Sequence, residues 1–184
     1  MTKIHDGQRV GPLDLTAITG QPVRIPDPDR LVHLQFRRFA GCPICNLHLR
    51  SITRRHDDIV AAGVREVAVF HSTAAAMLPY QGDLPFAAVA DPHRRLYARF
   101  GVGTSPWAAL HPRTWTSALR GMVAGKAAPP GRGETALGLP ADFLISTDGH
   151  ILAHKYGHRA DDQWSVNELL HLARRTTNGS YRRS

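Results

Sequence analysis

The stretch RLVHLQFRRFAGCPIC, Arg30 to Cys45, constrains the fold most. Its first ten residues are apolar and β-prone, and they stop at Ala40-Gly41, as a buried strand feeding a turn does. A helical pattern then opens on Pro43, whose fixed φ and missing N–H suit a first helical turn. Ile44, Leu47, Ile52, Ile59 and Val60 continue it to Gly63, a natural stop. Both cysteines of the chain therefore sit where a strand hands over to a helix.

The alternation carries on. REVAVFHS (Arg65 to Ser72) reads as a strand, STAAAMLPY as a short helix, PFAAVA (Pro85 to Ala90) as a third strand, and DPHRRLYARFGV as a helix opened by Asp91-Pro92. Strands alternating with helices predict a βαβ sheet. Further on, ADFLIST and HILAHKYG are joined by Asp148-Gly149, a two-residue hairpin signal. DDQWSVNELLHLARR predicts a closing amphipathic helix, with Ser165 as N-cap and Leu169, Leu170 and Leu172 facing inward. Thr104 to Gly138 stands apart: Trp115, Ala118, Leu119 and Met122 fall at helical spacing, and AGKAAPPGRGETALG reads as a mobile loop. With 184 residues and 42% hydrophobic content, one domain over 1–176 is expected, followed by a basic, disordered tail over 177–184.

Composition narrows the function. No apolar run is long enough to span a bilayer and the N-terminus lacks an apolar signal core, so a cytoplasmic chain without a membrane partner is expected. A formal charge of +8 invites a nucleic-acid reading. The basic residues are instead spread along the chain among Asp and Glu, so no nucleic-acid partner is expected.

Three readings compete for Cys42-Pro43-Ile44-Cys45. As a redox pair, Cys42 at a helix N-terminus has its thiolate favoured by the helix dipole and free backbone N–H groups. Cys45, one turn on, can close a disulfide with it. Arg37, Arg38 and Arg50 lie near in sequence with no acid before Asp57, which favours the thiolate further. As a metal site, Cys42, Cys45 and His48 have acceptable zinc spacing, but structural zinc wants four ligands and no second Cys pair exists. His150, His154 and His158 recur on a hairpin, not a helix. Haem attachment needs His after the second Cys, where Asn46 stands. The third reading is two small buried residues that happen to be cysteine.

These residues resemble the thioredoxin-fold suprafamily, in particular its peroxiredoxin-like branch of alkyl hydroperoxide reductase and thiol-specific antioxidant proteins. The resemblance spans about Gly11 to Ala173 and rests on GPLDLTAITGQPVRI, FRRFAGCPIC, DLPFAAVADPHRRLYARFGV and GLPADFLISTDGHIL. It implies an α/β fold with a central mixed sheet flanked by helices, an N-terminal β-hairpin and an insertion around 104–138. It also implies that Pro140 is a cis-proline set against Cys42. Two departures stand out. In the family's Pro-x-x-x-Thr-x-x-Cys motif laid over Cys45, Arg38 replaces the Pro and Cys42 the Thr; and Phe36 stands where thioredoxin carries a buried acid.

The expected protein is thus an oxidoreductase, a peroxide reductase or thiol-disulfide oxidoreductase, cycling Cys42 and Cys45 between dithiol and disulfide with no other cofactor. Cys42 attacks and Cys45 resolves; if the peroxiredoxin alignment governs, the order reverses. Gly41, Pro43, Pro140 and Arg38 support the site, Arg38 by holding a peroxide or anion. His48 is a candidate proton shuttle for Cys45. His71 and Ser72 end a strand that the fold brings near the site, and Trp107 and Trp115 are candidates for a lid or a packing stripe. Expected partners are a peroxide or disulfide substrate, an external dithiol reductant protein, and a second copy in a homodimer. A competing reading is a non-enzymatic redox-sensing module that binds a partner through 104–138.

Overall fold

The computed structural model describes residues 2–105 and 127–177. A five-stranded mixed sheet has the order β5-β4-β3-β6-β7. Strands β3 (Leu31–Phe36), β4 (Val64–Phe70) and β5 (Ala87–Ala90) run parallel, while β6 (Ala141–Ile145) and β7 (Ile151–Tyr156) complete the sheet antiparallel. β1 (Leu13–Thr16) and β2 (Pro22–Ile25) form a separate antiparallel hairpin. The helices are α1 (Pro43–Arg54), α2 (His56–Ala61), α3 (Ala74–Gln81), α4 (Arg95–Arg99) and α5 (Val166–Thr177). This is the thioredoxin-like architecture that the resemblance implied.

Strand alternation divides the core in two. Val32, Leu34 and Phe36 of β3 join Val67, Val69 and Phe143 beneath the hairpin, with Tyr97 and Phe100. On the other face Ala68, Phe70 and Leu144 pack with Ile44, Leu49 and Ile52 of α1, Met77 of α3, and Leu169, Leu170 and Ala173 of α5.

Four boundaries differ from the sequence reading. The helix after Pro43 breaks at Arg55, so the frame rotates; Val60 is left exposed, and the buried stripe of α1 is Ile44, Cys45, His48, Leu49 and Ile52. The helix near Asp91 starts only at Arg95, because Asp91 caps it from outside: its carboxylate accepts from the N–H groups of Arg95 (2.9 Å), Leu96 (2.8 Å) and Tyr97 (3.3 Å). The β6–β7 turn is longer than two residues, closing from Ser146 to His150 with Gly149 at φ 92°, and the N-terminal segment docks on it through Val10 N–H to Gly149 O at 2.8 Å. In the loop read as mobile, residues 127–138 are tied to the cysteine turn. Trp107, Trp115, Ala118, Leu119, Met122 and the tail from 178 lie outside the described residues. Ser165 caps α5 as expected, in a capping box with Glu168: Ser165 N–H donates to the Glu168 carboxylate at 2.7 Å and Glu168 N–H to Ser165 Oγ at 3.3 Å. Among the described residues, no helix is long and apolar enough to cross a membrane.

Candidate active site

Strand β3 ends at Phe36 and the chain turns through Arg37–Gly41 into α1, so the cysteines lie at the carboxyl end of the parallel strands, where α/β sheets bind ligands. Cys42 is the N-cap of α1 with extended backbone, and Pro43 takes the first helical position. The turn is clamped from three elements. Ala40 N–H donates to Ser72 Oγ (2.9 Å), and Ala40 O accepts from Asn46 Nδ2 (3.2 Å) and Gln81 Nε2 (3.0 Å). The Ser72 and Gln81 clamps were not visible in the sequence, since they join residues 32 and 41 positions apart.

Both cysteines are free thiols, at 0% and 1% exposure. Their sulfurs lie 2.7 Å apart. Cys42 Sγ also accepts from Arg38 Nη2 at 3.1 Å and from the Cys45 backbone N–H at 3.4 Å. Burial is the largest influence on each sulfur and pushes both thiols up. Against it, the hydrogen bond between the sulfurs and the Arg38 charge lower Cys45 from 9.0 to about 6, while Cys42 is raised well above 9.0. Proton affinity puts the thiolate on Cys45, whereas the donors converge on Cys42; one proton shared between the sulfurs reconciles the two. The dithiol titrates as a unit, its first proton leaving below the ordinary thiol range because Arg38 and the helix N-terminus stabilise the single negative charge.

Residues 127–138 cover this turn. Ala128 N–H donates to Gly41 O at 3.1 Å, Arg38 Nη1 donates to Ala136 O at 2.7 Å, and Ser72 Oγ donates to the Glu134 carboxylate. The approach at Gly41 leaves no room for a side chain: a Cβ there would lie 2.9–3.0 Å from Ala128 Cβ, N and O.

Beneath the dithiol lies a buried polar chain. Arg37 donates to Asp142 Oδ1 at 2.7 Å and to Gln35 Oε1 at 3.0 Å; His33 bridges Glu66 at 2.8 Å and Asp142 at 3.2 Å; Trp164 N–H closes on Asp142 Oδ2 at 3.1 Å. Burial pushes His33 down, but the Glu66 and Asp142 carboxylates raise it to about 9. Burial pushes Asp142 up, and Arg37 and His33 hold it well below the usual carboxylate range. Arg37 is paired with an acid 105 residues away, yet its charge still helps to lower Cys45, as its nearness in sequence suggested. Arg50 is exposed. Arg38 donates directly to a cysteine sulfur. His48 turns Nε2 to Arg37 Nη2 at 3.1 Å, and burial with the Arg37 charge lowers it well below 6.5, so it accepts from Arg37 as a neutral ring.

Pro140 departs from its expected form. It follows a trans peptide, since Ile25–Pro26 is the cis bond among the described residues. It lies one step beyond the Phe36–Ala141 pair, at the cysteine end of the sheet. Its carbonyl accepts from Gly157 N–H at 2.9 Å, and its ring packs on Gly157, which fixes the loop-to-β6 entry by packing instead. Among the described residues no group of three or more His, Cys, Asp or Glu could hold a metal ion.

The family description "AhpC/TSA antioxidant enzyme" matches residues 51–162, more than half of the chain, beginning six residues after Cys45. No curated protein matches in sequence. Among solved structures, peroxidoxin BcpB from Mycobacterium tuberculosis superposes with a TM-score of 0.68 at 16% identity, covering 98% of this chain and 99% of that one. A cysteine-to-serine mutant of peroxiredoxin 6 of Arenicola marina gives 0.72 at 15% identity, covering 97% and 76%. A Chlorobium tepidum protein assigned as a thiol:disulfide interchange protein, DsbE, gives 0.61 at 19% identity, covering 93% and 99%. At these identities the likeness concerns the fold.

Proposed function

This chain belongs to the AhpC/TSA antioxidant enzyme family, and from that premise we propose that it is a thiol-dependent peroxide reductase that cycles Cys42 and Cys45 between dithiol and disulfide. The observation that carries the reading is the burial of both sulfurs beneath residues 127–138, with Arg38 donating to Cys42. A covered dithiol admits a small peroxide far more readily than a protein disulfide.

With the shared proton resting on Cys45, which donates it to Cys42 Sγ, the Cys42 thiolate attacks the terminal peroxide oxygen; an S–O bond forms, the O–O bond breaks, and the leaving alkoxide or hydroxide is protonated by water. The Cys45 thiol then displaces hydroxide from the Cys42 sulfenic acid, releasing water and forming the disulfide. Arg38 lowers the proton affinity of the pair before attack and stabilises charge during it. An external dithiol protein returns the disulfide to the dithiol.

A second reading, disulfide exchange, is favoured by the CxxC at a helix N-terminus, the geometry in which a thiolate attacks a disulfide sulfur. Peroxide treatment of Cys45→Ser and Cys42→Ser chains in the presence of dimedone, followed by peptide mass spectrometry, separates the order of events. A dimedone adduct on Cys42 supports the assignment; an adduct confined to Cys45 reverses the roles, and no adduct on either favours exchange.

A further inference from the structure

His71 follows the last residue of β4 and is 2% exposed, yet neither of its ring nitrogens has a hydrogen-bond partner among the described residues. The Nε of Arg38 is buried and unpartnered too. The two side chains meet at Gly138: a Cβ built there would lie 3.3 Å from His71 Nε2 and 3.6 Å from Arg38 Cγ. No left-handed φ demands glycine at 138, but a side chain there would press on the His71 ring. The remaining arms of Arg38 are committed, Nη2 to Cys42 Sγ and Nη1 to Ala136 O. His71 is held in place by its backbone N–H to Arg38 O at 3.3 Å and by edge contact with Tyr97, the ring centroids 5.7 Å apart.

Burying an imidazole with both nitrogens unpaired is costly, and such groups in native proteins commonly meet a water or a ligand. Here the imidazole stands beside the arginine that donates to the nucleophilic sulfur. We propose that His71 is a substrate-binding residue, which with Arg38 holds the two oxygens of the peroxide beside Cys42. The assignment rests on the peroxide reductase reading. Burial, with Arg94 and Arg38 nearby, lowers the proton affinity of His71 against the opposing pulls of its own backbone and of Glu134. The neutral ring offers one acceptor and one donor. It accepts from the peroxide O–H and donates to the leaving oxygen as negative charge develops there, while the alcohol or water takes its proton from solvent.

The test uses the full chain in its reduced form, with hydrogen peroxide as the probe. Second-order rates are compared for the wild type, His71→Leu, His71→Gln and Gly138→Ala, alongside the ultraviolet thiolate absorbance as a function of pH. His71→Leu should slow the peroxide reaction roughly 10- to 100-fold, the loss of one hydrogen bond to a buried reacting oxygen. His71→Gln, which keeps a donor and an acceptor, should recover most of that rate, and the thiolate titration should not move. Gly138→Ala should slow the reaction in the same direction, and it carries the test if His71→Leu fails to fold. A fast wild type with His71→Leu or Gly138→Ala unchanged overturns the assignment and leaves an ordered water as the partner of His71. Equal losses in Leu and Gln with a displaced thiolate titration make His71 structural. A wild type no faster than a free thiol removes the peroxide reading itself, and this assignment with it.

Discussion

Raising the pH from about 6 to about 10 should remove about 3 kcal/mol of stability from a chain in which Cys42 and Cys45 are both serine. The source is His33, fully buried between Glu66 and Asp142 and raised from 6.5 to about 9. A higher proton affinity in the folded state stabilises it fully below the unfolded value, so the contribution is whole below pH 6.5 and disappears as pH climbs through about 9. Each tenfold in proton affinity is worth about 1.4 kcal/mol, which gives the 3 kcal/mol figure. The serine background is needed because the lowered thiol acts in the opposite sense over the same range, adding stability as pH rises from about 6 towards 9.0. His48 and His71, both lowered, also add stability as pH rises through 6.5, so the His33 contribution is read as the difference between the parent and His33→Gln. Urea unfolding at a series of pH values provides the assay. With a slope of about 2 kcal/mol per molar, the midpoint should fall by roughly 1.5 M across the window. His33→Gln in the same background keeps an amide between the carboxylates and should flatten the dependence. A midpoint constant with pH in the parent, or an equal fall in His33→Gln, would refute a charged His33 in the folded protein.

Arg38→Leu removes both the charge and the donor at Cys42 Sγ, so the midpoint of iodoacetamide alkylation should move up from about 6, and alkylation at neutral pH should slow roughly tenfold. An unmoved midpoint would exclude Arg38 as the activating group. Gly41→Ala forces a methyl group against the Ala128 backbone, so residues 127–138 should be displaced and a bulky maleimide should label the cysteines faster, by roughly tenfold; unchanged labelling would mean that this segment does not control access. Asp91→Ala strips the three backbone donors of α4 of their acceptor and should cost about 1–2 kcal/mol in urea unfolding, with a loss below about 0.5 kcal/mol counting against the cap.

Local signals carried the strand, turn and helix around Cys42 because every participant, from Phe39 to Asn46, lies within one short stretch. The capping box of Ser165 was legible in the same way. The buried ion chain was not, since its partners join β3, β4, β6 and α1. One trace of it stood in plain view: the polar positions His33 and Gln35 alternate with Val32, Leu34 and Phe36 in a strand central to the sheet, so both faces are buried and the polar residues must find partners there. Phe36, noted as replacing thioredoxin's buried acid, faces the hairpin core, while the acids Glu66 and Asp142 enter from neighbouring strands on the opposite face. Pro140 shows the reverse error: the resemblance implied a cis peptide there, whereas Ile25–Pro26 is the cis bond among the described residues. Gly138 and His71 fall 67 residues apart, and their contact arises only because residues 127–138 fold back over the end of β4.

The most direct test of the central claim is rapid mixing of the fully reduced chain with hydrogen peroxide, following the appearance of the Cys42–Cys45 disulfide, with Cys42→Ser and Cys45→Ser in parallel. A second-order reaction well above that of a free thiol, abolished in Cys42→Ser and halted at the sulfenic acid in Cys45→Ser, is the expected result. A rate equal to that of a free thiol in the wild type would contradict the account.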